Sequence, residues 1–295
     1  MRVDVLGPVR LSTDAGEPVP VPERKVRLLL ALLVSGEGEA VPADTLVEQV
    51  WGDGRAAHPT RVLRAKLSQL RAALDLADEG GRDLLVHTPA GYRLDLPAGA
   101  VDAERFRERV ERARAAGSAR ERADLLGGAL ALWRGDAYAD VADELWLSPV
   151  LAALEDARLG ALEERAEALA EAGEPEAAVE LATAPAEEHP TRERLTAALM
   201  SALYRTGRQR DALVLFESLR ERLAEELGAD PGPQLRTLHE RILRQDPELA
   251  AAPGAGERPA QGSEQSARGR LPSEISPIIG RAEEAFEVGC HLDLS

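Results

Sequence analysis

The chain has 295 residues, a formal net charge of −16, 3% aromatic residues and a single cysteine. This length suits two domains, and the scarcity of aromatic residues leaves Leu, Val and Ala to build the core, which is typical of packed helices. One cysteine excludes an intrachain disulfide framework, and no apolar run approaches the length of a membrane-spanning helix. We therefore expect a soluble, cytoplasmic protein that makes no membrane contact.

Acidic residues are concentrated in the later part of the chain. Residues 1–95 contain about 12 Lys and Arg against about 14 Asp and Glu, so nearly all of the negative excess lies beyond them. A net negative charge disfavours phosphate binding, but a local basic group on a near-neutral domain can still bind DNA. Five cations lie close together with no acid among them: Arg55, Arg61, Arg64, Lys66 and Arg71.

The chain begins with a strand pattern that changes into a helical one. Residues 2–11 and 17–21 alternate apolar and polar side chains around a turn at residues 14–16, which predicts a short antiparallel sheet. From residue 23, apolar residues recur at helical spacing until Gly36, which predicts the first helix.

Two further helices and a hairpin follow. Residues 43–51 and 59–76 show helical periodicity, the second beginning at a proline suited to a first helical turn. Residues 84–96 alternate as two strands around a turn that contains Gly91. Three helices followed by a hairpin is the order of a winged helix, which we predict over residues 1–97.

The rest of the chain indicates an all-helical domain over residues 98–246. Helical segments rich in Ala, Leu, Glu and Arg are separated by breaks near residues 117–118, 135–136, 173–175, 189–190 and 207. Gly173 and Gly207 occupy similar turns 34 residues apart, which is the tetratricopeptide period; generic antiparallel helix pairs are the alternative. The predicted fold is mainly α with a small β component, a winged helix-turn-helix domain followed by an all-α tetratricopeptide-like helical domain.

The third predicted helix carries the most informative surface. With its leucines turned inward at helical spacing, the polar and small residues fall on the outer side and flanks. Such a face suits the major groove, because Arg can donate two hydrogen bonds to guanine, Ala permits close approach and flanking cations neutralise phosphates. The alternative is a solvated helix face. The candidate DNA contacts are Thr60, Arg61, Arg64, Ala65, Lys66, Ser68 and Arg71.

The hairpin adds candidate contacts to the DNA backbone or the adjacent minor groove. Thr88 and Arg93 are suited to such contacts while the helix occupies the major groove. Tyr92 is more easily explained as a structural residue, because a tyrosine on a small hairpin usually packs its ring on the domain.

Several strings together resemble one bacterial family. DTLVEQVWG at 44–52, LRAKLSQLR at 63–71 and HTPAGYRL at 87–94 resemble the OmpR-type winged helix of the Streptomyces antibiotic regulatory protein (SARP) family. The strings that resemble the activator domain following it in that family are VDAERF at 101–106, ALALWRGDAYADV at 129–141, RERL at 192–195 and LGADPGPQL at 227–235.

The resemblance implies a transcription activator that binds direct repeats in promoter DNA and recruits RNA polymerase holoenzyme. It also implies a homodimer or tandem pair on DNA, association with the nucleoid, and control of secondary-metabolite (antibiotic) genes. In winged helices of this type the loop between the second and third helices contacts polymerase. Here that loop is Gly52, Asp53, Gly54, Arg55 and Ala56.

The last part of the chain gives a different indication. Residues 246–270 are rich in Pro, Gly, Ser and Gln, which predicts a flexible linker. LPSEISPIIGRAEE at 271–284 resembles the start of the nucleotide-binding domain of larger family members, but no GxxxxGK[ST] phosphate loop occurs. We expect residues 247–295 to be a linker and the beginning of a truncated nucleotide-binding domain, which makes the chain the N-terminal part of a large member.

An enzyme has little support in the sequence, so we expect no catalytic residues, no metal and no cofactor. The histidines are dispersed and lack metal-binding spacing: His58, His87, His189, His239 and His291. Two alternative functions stay open. One is a tetratricopeptide-type scaffold that binds a protein partner, and the other is a repressor, because the position of a site on its promoter separates activation from repression.

Overall fold

A three-stranded antiparallel sheet opens the chain in the computed structural model, which describes residues 1–52 and 58–250. The strands are β1 (Arg2–Asp4), β2 (Arg10–Ser12) and β3 (Pro18–Val19), in the spatial order β1-β2-β3. Val3 lies opposite Leu11, and both side chains are buried, as the alternating pattern predicts. The sequence-based sheet is therefore confirmed.

Three helices follow the sheet and pack against one another, and the third of them also packs on the sheet. Their bounds are α1 (Arg24–Ser35), α2 (Ala43–Trp51) and α3 (Pro59–Ala77). The inward leucines of α3, which are Leu63, Leu67, Leu70 and Leu74, are at most 1% exposed, so the predicted helical spacing is confirmed. The buried side of α3 thus fixes which of its residues reach the surface.

The predicted hairpin consists of β4 (Leu85–Thr88) and β5 (Gly91–Leu94) in an antiparallel pair, and it forms the wing of the winged helix. It is joined to the segment before α2, because Val41 and Tyr92 exchange backbone hydrogen bonds of 2.8 and 2.9 Å. Gly91 has φ +139°, and a Cβ at this position would lie 2.1 Å from the Val41 carbonyl oxygen. Only glycine therefore fits where the wing meets the domain.

Helices make up most of the remainder of the described chain. They are α4 (Asp102–Arg114), α5 (Ala119–Leu130), α6 (Ser148–Glu171), α7 (Pro175–Glu188), α8 (Glu193–Arg205), α9 (Gln209–Leu227), α10 (Pro233–Leu243) and the short α11 (Pro247–Ala250). The breaks between α4 and α9 fall at the glycine and proline positions that the sequence indicates. None of the helices in the described ranges is long and apolar enough to cross a membrane.

The two glycine turns of the predicted repeat have the same geometry. Gly173 has φ +86° and Gly207 has φ +77°, the left-handed conformation that ends many helices. In each turn the next residue donates its N–H to a carbonyl five positions earlier, Glu174 to Leu169 and Arg208 to Leu203, both at 2.9 Å. The α6–α7 and α8–α9 turns are therefore equivalent.

Buried positions recur at the same spacing on both sides of these turns. The corresponding pairs, each residue at most 8% exposed, are Ala166 and Met200, Leu169 and Leu203, Ala178 and Ala212, and Ala182 and Phe216. Repetition of both turn geometry and burial confirms the tetratricopeptide-like interpretation of this domain.

A buried carboxylate connects the N-terminal sheet to the helical part. Asp102, the first residue of α4, is 1% exposed and accepts the N–H of Val5 at 2.7 Å and that of Leu6 at 3.0 Å. The segment after β1 would otherwise leave these donors unsatisfied in the core. Asp102 therefore replaces a strand partner.

Backbone groups complete the same junction. Arg134 and Tyr138 donate their N–H groups to the carbonyls of Leu6 and Val5 at 2.7 and 2.8 Å. Residues on both sides of the turn at 97–99 share one hydrophobic core. The winged helix and the first helices of the helical domain are thus packed together, while the limits 1–97 and 98–246 stay a prediction.

Asp102→Asn is expected to lower the free energy of unfolding by about 1–3 kcal/mol, because the amide nitrogen of Asn leaves one buried N–H without an acceptor. Urea denaturation followed by circular dichroism measures the loss. Asp136→Asn, a change of an exposed aspartate in the segment after α5, is the control and should stay within about 0.5 kcal/mol of the wild type. Equal losses in the two variants would contradict the assigned role.

Comparison of the wild type with Asp102→Asn at two pH values tests the protonation of Asp102. Burial raises the pKa of this carboxyl above its ordinary value, against the opposing effect of the Val5 and Leu6 N–H groups. The native state therefore binds the proton more tightly, and the contribution of Asp102 to stability increases as pH falls through the folded pKa. We expect the free energy of unfolding of the wild type to exceed that of Asp102→Asn by a larger amount at about pH 4.5 than at about pH 7. If this difference in the free energy of unfolding becomes smaller on acidification, the pKa of Asp102 is lowered rather than raised.

Candidate nucleic-acid interface

The outward face of α3 presents five of the predicted contact residues to solvent. Thr60, Arg61, Arg64, Ala65 and Ser68 are all exposed. They lie opposite the buried leucines, so the helix that packs the winged-helix core also determines this surface. A rigid helix with a small central residue can approach base edges closely.

Two arginines provide the positive charge of this face. Within residues 1–52 and 58–250, the ion pairs formed by the cations of α3 and the wing are those of Lys66 and Arg93, and neither Arg61 nor Arg64 has one. An uncompensated guanidinium has all of its donors available to a phosphate or a guanine edge. Arg61 and Arg64 are therefore the cations of α3 best placed to bind nucleic acid.

Lys66 is held against the start of α1. Its Nζ lies 2.5 Å from Oε2 of Glu23, and its side chain is only 17% exposed. The hydrogen bond from Lys66 lowers the pKa of the Glu23 carboxyl. This ion pair connects two helices that are distant in sequence, and it partly compensates the Lys66 charge.

Arg71 connects α3 to the wing. Its Nη2 donates a 2.9 Å hydrogen bond to the carbonyl oxygen of Leu85, the first residue of β4. The guanidinium therefore helps to set the position of the wing relative to the helix.

The predicted wing residues both have partners within the hairpin. The Thr88 hydroxyl accepts from the Ala90 N–H and donates to the Gly91 carbonyl, both at 3.2 Å, which stabilises the turn. Arg93 donates from Nη2 to Oδ2 of Asp95 at 2.8 Å and is 42% exposed. The side chain of Arg93 is still accessible, but its charge is compensated by Asp95.

The predicted polymerase-contact loop is described only at its first residue. Gly52 ends α2 with φ +52° and donates its N–H to the Glu48 carbonyl at 2.8 Å. Asp53, Gly54, Arg55 and Ala56 lie outside the described residues.

Sequence reasoning missed the acidic partners of two predicted cations. Asp95 could have been found, because it lies two positions after Arg93 and so projects to the same face of the hairpin. Glu23 is 43 positions from Lys66, and no local pattern connects the two. Nor did the sequence show that Lys25 lies over the ring of Trp51 at 5.2 Å, which secures α1 to α2.

Comparison with known proteins matches both halves of this architecture. Residues 16–94 match the family described as transcriptional regulatory protein, C terminal, and residues 101–243 match the bacterial transcriptional activator domain. The chain is 33% identical to the regulatory protein DnrI of Streptomyces peucetius, over 84% of this chain and 93% of DnrI. It is 34% identical to the transcriptional regulator RedD of Streptomyces coelicolor, over 84% of this chain and 72% of RedD.

Longer relatives match over a smaller share of their length. The regulatory protein AfsR of Streptomyces coelicolor is 37% identical over 96% of this chain, and the chain spans only 28% of AfsR. A solved structure of Mycobacterium tuberculosis EmbR in complex with a low-affinity phosphopeptide is similar, with a TM-score of 0.77 and 35% identity. That similarity covers 83% of this chain and 65% of the EmbR chain.

Replacing Arg71 by Met separates a positioning role from a role in phosphate binding. Loss of the bond to the Leu85 carbonyl is expected to lower the free energy of unfolding by about 0.5–1.5 kcal/mol in urea denaturation. Arg82→Met, a change of an exposed arginine in the turn after α3, is the matched control and should have little effect. Unchanged stability in Arg71→Met, together with weaker DNA binding, would instead identify Arg71 as a phosphate contact.

Proposed function

The chain belongs to the SARP family of transcriptional activators, and on that basis we propose that it binds promoter DNA at direct repeats and recruits RNA polymerase holoenzyme. It does so in the cytoplasm, on the nucleoid, as a homodimer or tandem pair. Its targets are secondary-metabolite genes, among them antibiotic genes. The family relationship supports the choice of targets, and the surface of α3 supports the mode of DNA binding.

The observation that carries the proposal is the exposed face of α3, on which Arg61 and Arg64 form no ion pair with any residue of 1–52 or 58–250. In a major groove, Arg61 and Arg64 can each donate two hydrogen bonds to O6 and N7 of guanine. Ala65 leaves room for the helix to approach and can contact a thymine methyl group, while Thr60 and Ser68 can bond to phosphate or a base edge. This division assigns sequence recognition to the arginines.

The remaining predicted contacts take supporting roles in this proposal. Lys66 and Arg71 flank the face and hold α3 to α1 and to the wing, so their charges act on the phosphates nearest to them. Thr88 and Arg93 bring the hairpin to the DNA backbone or the adjacent minor groove. Arg93 can exchange Asp95 for a phosphate, because both side chains of the existing pair are partly exposed and such pairs contribute little to stability.

Polymerase recruitment rests on the loop between α2 and α3. This loop comprises Gly52, Asp53, Gly54, Arg55 and Ala56, and it follows directly from the end of α2. Its assignment comes from the family resemblance.

Arg64→Ala tests the proposed mode of recognition. The operator is first obtained by selecting tightly bound duplexes from a random DNA pool with the wild-type chain. Binding of the variant to that operator is then expected to weaken by about 1–3 kcal/mol, whereas binding to unrelated duplex changes little, because a base contact is lost rather than a phosphate contact. Fluorescence anisotropy with both duplexes measures the difference.

Arg82→Ala is the matched control, since it removes one exposed arginine from the same domain, in the turn that follows α3. It should leave both affinities close to those of the wild type. An equal loss on operator and unrelated duplex in Arg64→Ala would reassign Arg64 to the phosphates. If selection enriches no sequence at all, sequence-specific binding itself is contradicted.

A further inference from the structure

A small cavity lies where the winged helix meets the activator domain. Its volume is about 260 Å³, just below the roughly 300–1,000 Å³ found for small-molecule sites. The end of α1, the start of α4, the segment after α5 and the first turns of α6 all contribute to it. Its apolar walls include Val34, Val101, Ala103 and Leu154.

Two residues that line this cavity have an unusual backbone conformation. Glu37 has φ +49° and Tyr138 has φ +54°, although neither is a glycine. Such conformations are costly for residues with side chains and are found preferentially at functional sites. Glu37 follows α1 in the winged helix, and Tyr138 follows α5 in the helical domain, so each domain contributes one such residue.

Tyr138 supplies a buried polar group among the apolar walls of the cavity, and the charged residues lie at its rim. The residue is 2% exposed, and its backbone N–H is fixed by the Val5 carbonyl at 2.8 Å. Among the described residues its phenolic oxygen takes part in no hydrogen bond, although a buried tyrosine hydroxyl normally has a partner. Burial raises the pKa of the Tyr138 phenol, so the group remains a neutral donor at physiological pH.

The rim of the cavity offers no uncompensated positive charge. Arg107 pairs with Glu37 at 2.8 Å, and Glu104 accepts the N–H of Gly99 at 3.1 Å. An anionic ligand would have to displace Glu37 from Arg107 and would also face Glu104. The lining therefore favours an uncharged molecule.

We propose that this cavity binds an uncharged, mainly apolar small molecule of one ring or a short chain, whose carbonyl or ether oxygen accepts a hydrogen bond from Tyr138. A molecule in this position contacts residues of both domains, including Val34 of α1 and Leu154 of α6. It therefore stabilises their packed arrangement, because binding to the native state alone adds to stability. The binding step does not depend on DNA.

Fluorine NMR can observe the cavity directly, because the chain contains only three tyrosines: Tyr92, Tyr138 and Tyr204. The full chain is labelled with 3-fluorotyrosine, and the Tyr138 resonance is assigned by Tyr138→Phe. If that variant does not fold, Tyr92→Phe and Tyr204→Phe assign it by elimination. Acetophenone and 2-heptanone serve as ring and chain probes, and benzoate serves as the charged probe.

We expect the Tyr138 resonance to shift saturably with at least one neutral probe while the other two tyrosines do not respond, and benzoate to bind more weakly. Ala153→Phe, which fills the rim, should abolish the shift, and Ala152→Phe, an exposed neighbour outside the cavity, should retain it. No shift with either neutral probe, preference for benzoate, or a shift that survives Ala153→Phe would overturn the proposal. None of these outcomes depends on whether the chain binds a promoter.

Discussion

The carboxylate of Asp102 accepts the backbone N–H groups of Val5 and Leu6 from a position that is 1% exposed. This contact joins the start of α4 to the segment after β1, and α3 packs on the sheet that contains β1. Without it, two buried donors at the junction would be unsatisfied, at a cost comparable to that of losing a core hydrogen bond. This side chain, which no local sequence pattern reveals, therefore helps to fix the outer face of α3 relative to the helical domain, together with the Arg134 and Tyr138 N–H groups at the same junction.

Distribution of charge reconciles an acidic chain with a proposed DNA-binding function. The net charge of −16 belongs mainly to the helical domain, where many carboxylates pair with arginines, such as Glu163 with Arg192 and Glu164 with Arg114. On α3, Arg61 and Arg64 remain uncompensated within the described part of the chain, and interactions beyond about 10 Å are largely screened at moderate salt. The local field at the outer face of α3 is thus governed by its own arginines.

Much of the fold could be predicted from the sequence, because its patterns are local. The leucine spacing of α3, the proline at its first turn and the glycine turns at 173 and 207 each follow from backbone and side-chain geometry, and the structure has them as predicted. The exposure of Thr60, Arg61, Arg64, Ala65 and Ser68 follows from the same spacing. The partners of Lys66 and Arg71 could not be predicted, because Glu23 and the Leu85 carbonyl come close to them only through tertiary packing.

The central claim is that the winged helix binds duplex DNA through phosphates and base edges together. The most direct measurement is the affinity of the wild-type chain for its selected operator and for a scrambled duplex between about 50 and about 200 mM salt. The account predicts that both affinities fall steeply, with the logarithm of affinity linear in the logarithm of salt concentration, and that the operator is preferred throughout. Affinity that is insensitive to salt, or equal for the two duplexes, would contradict it.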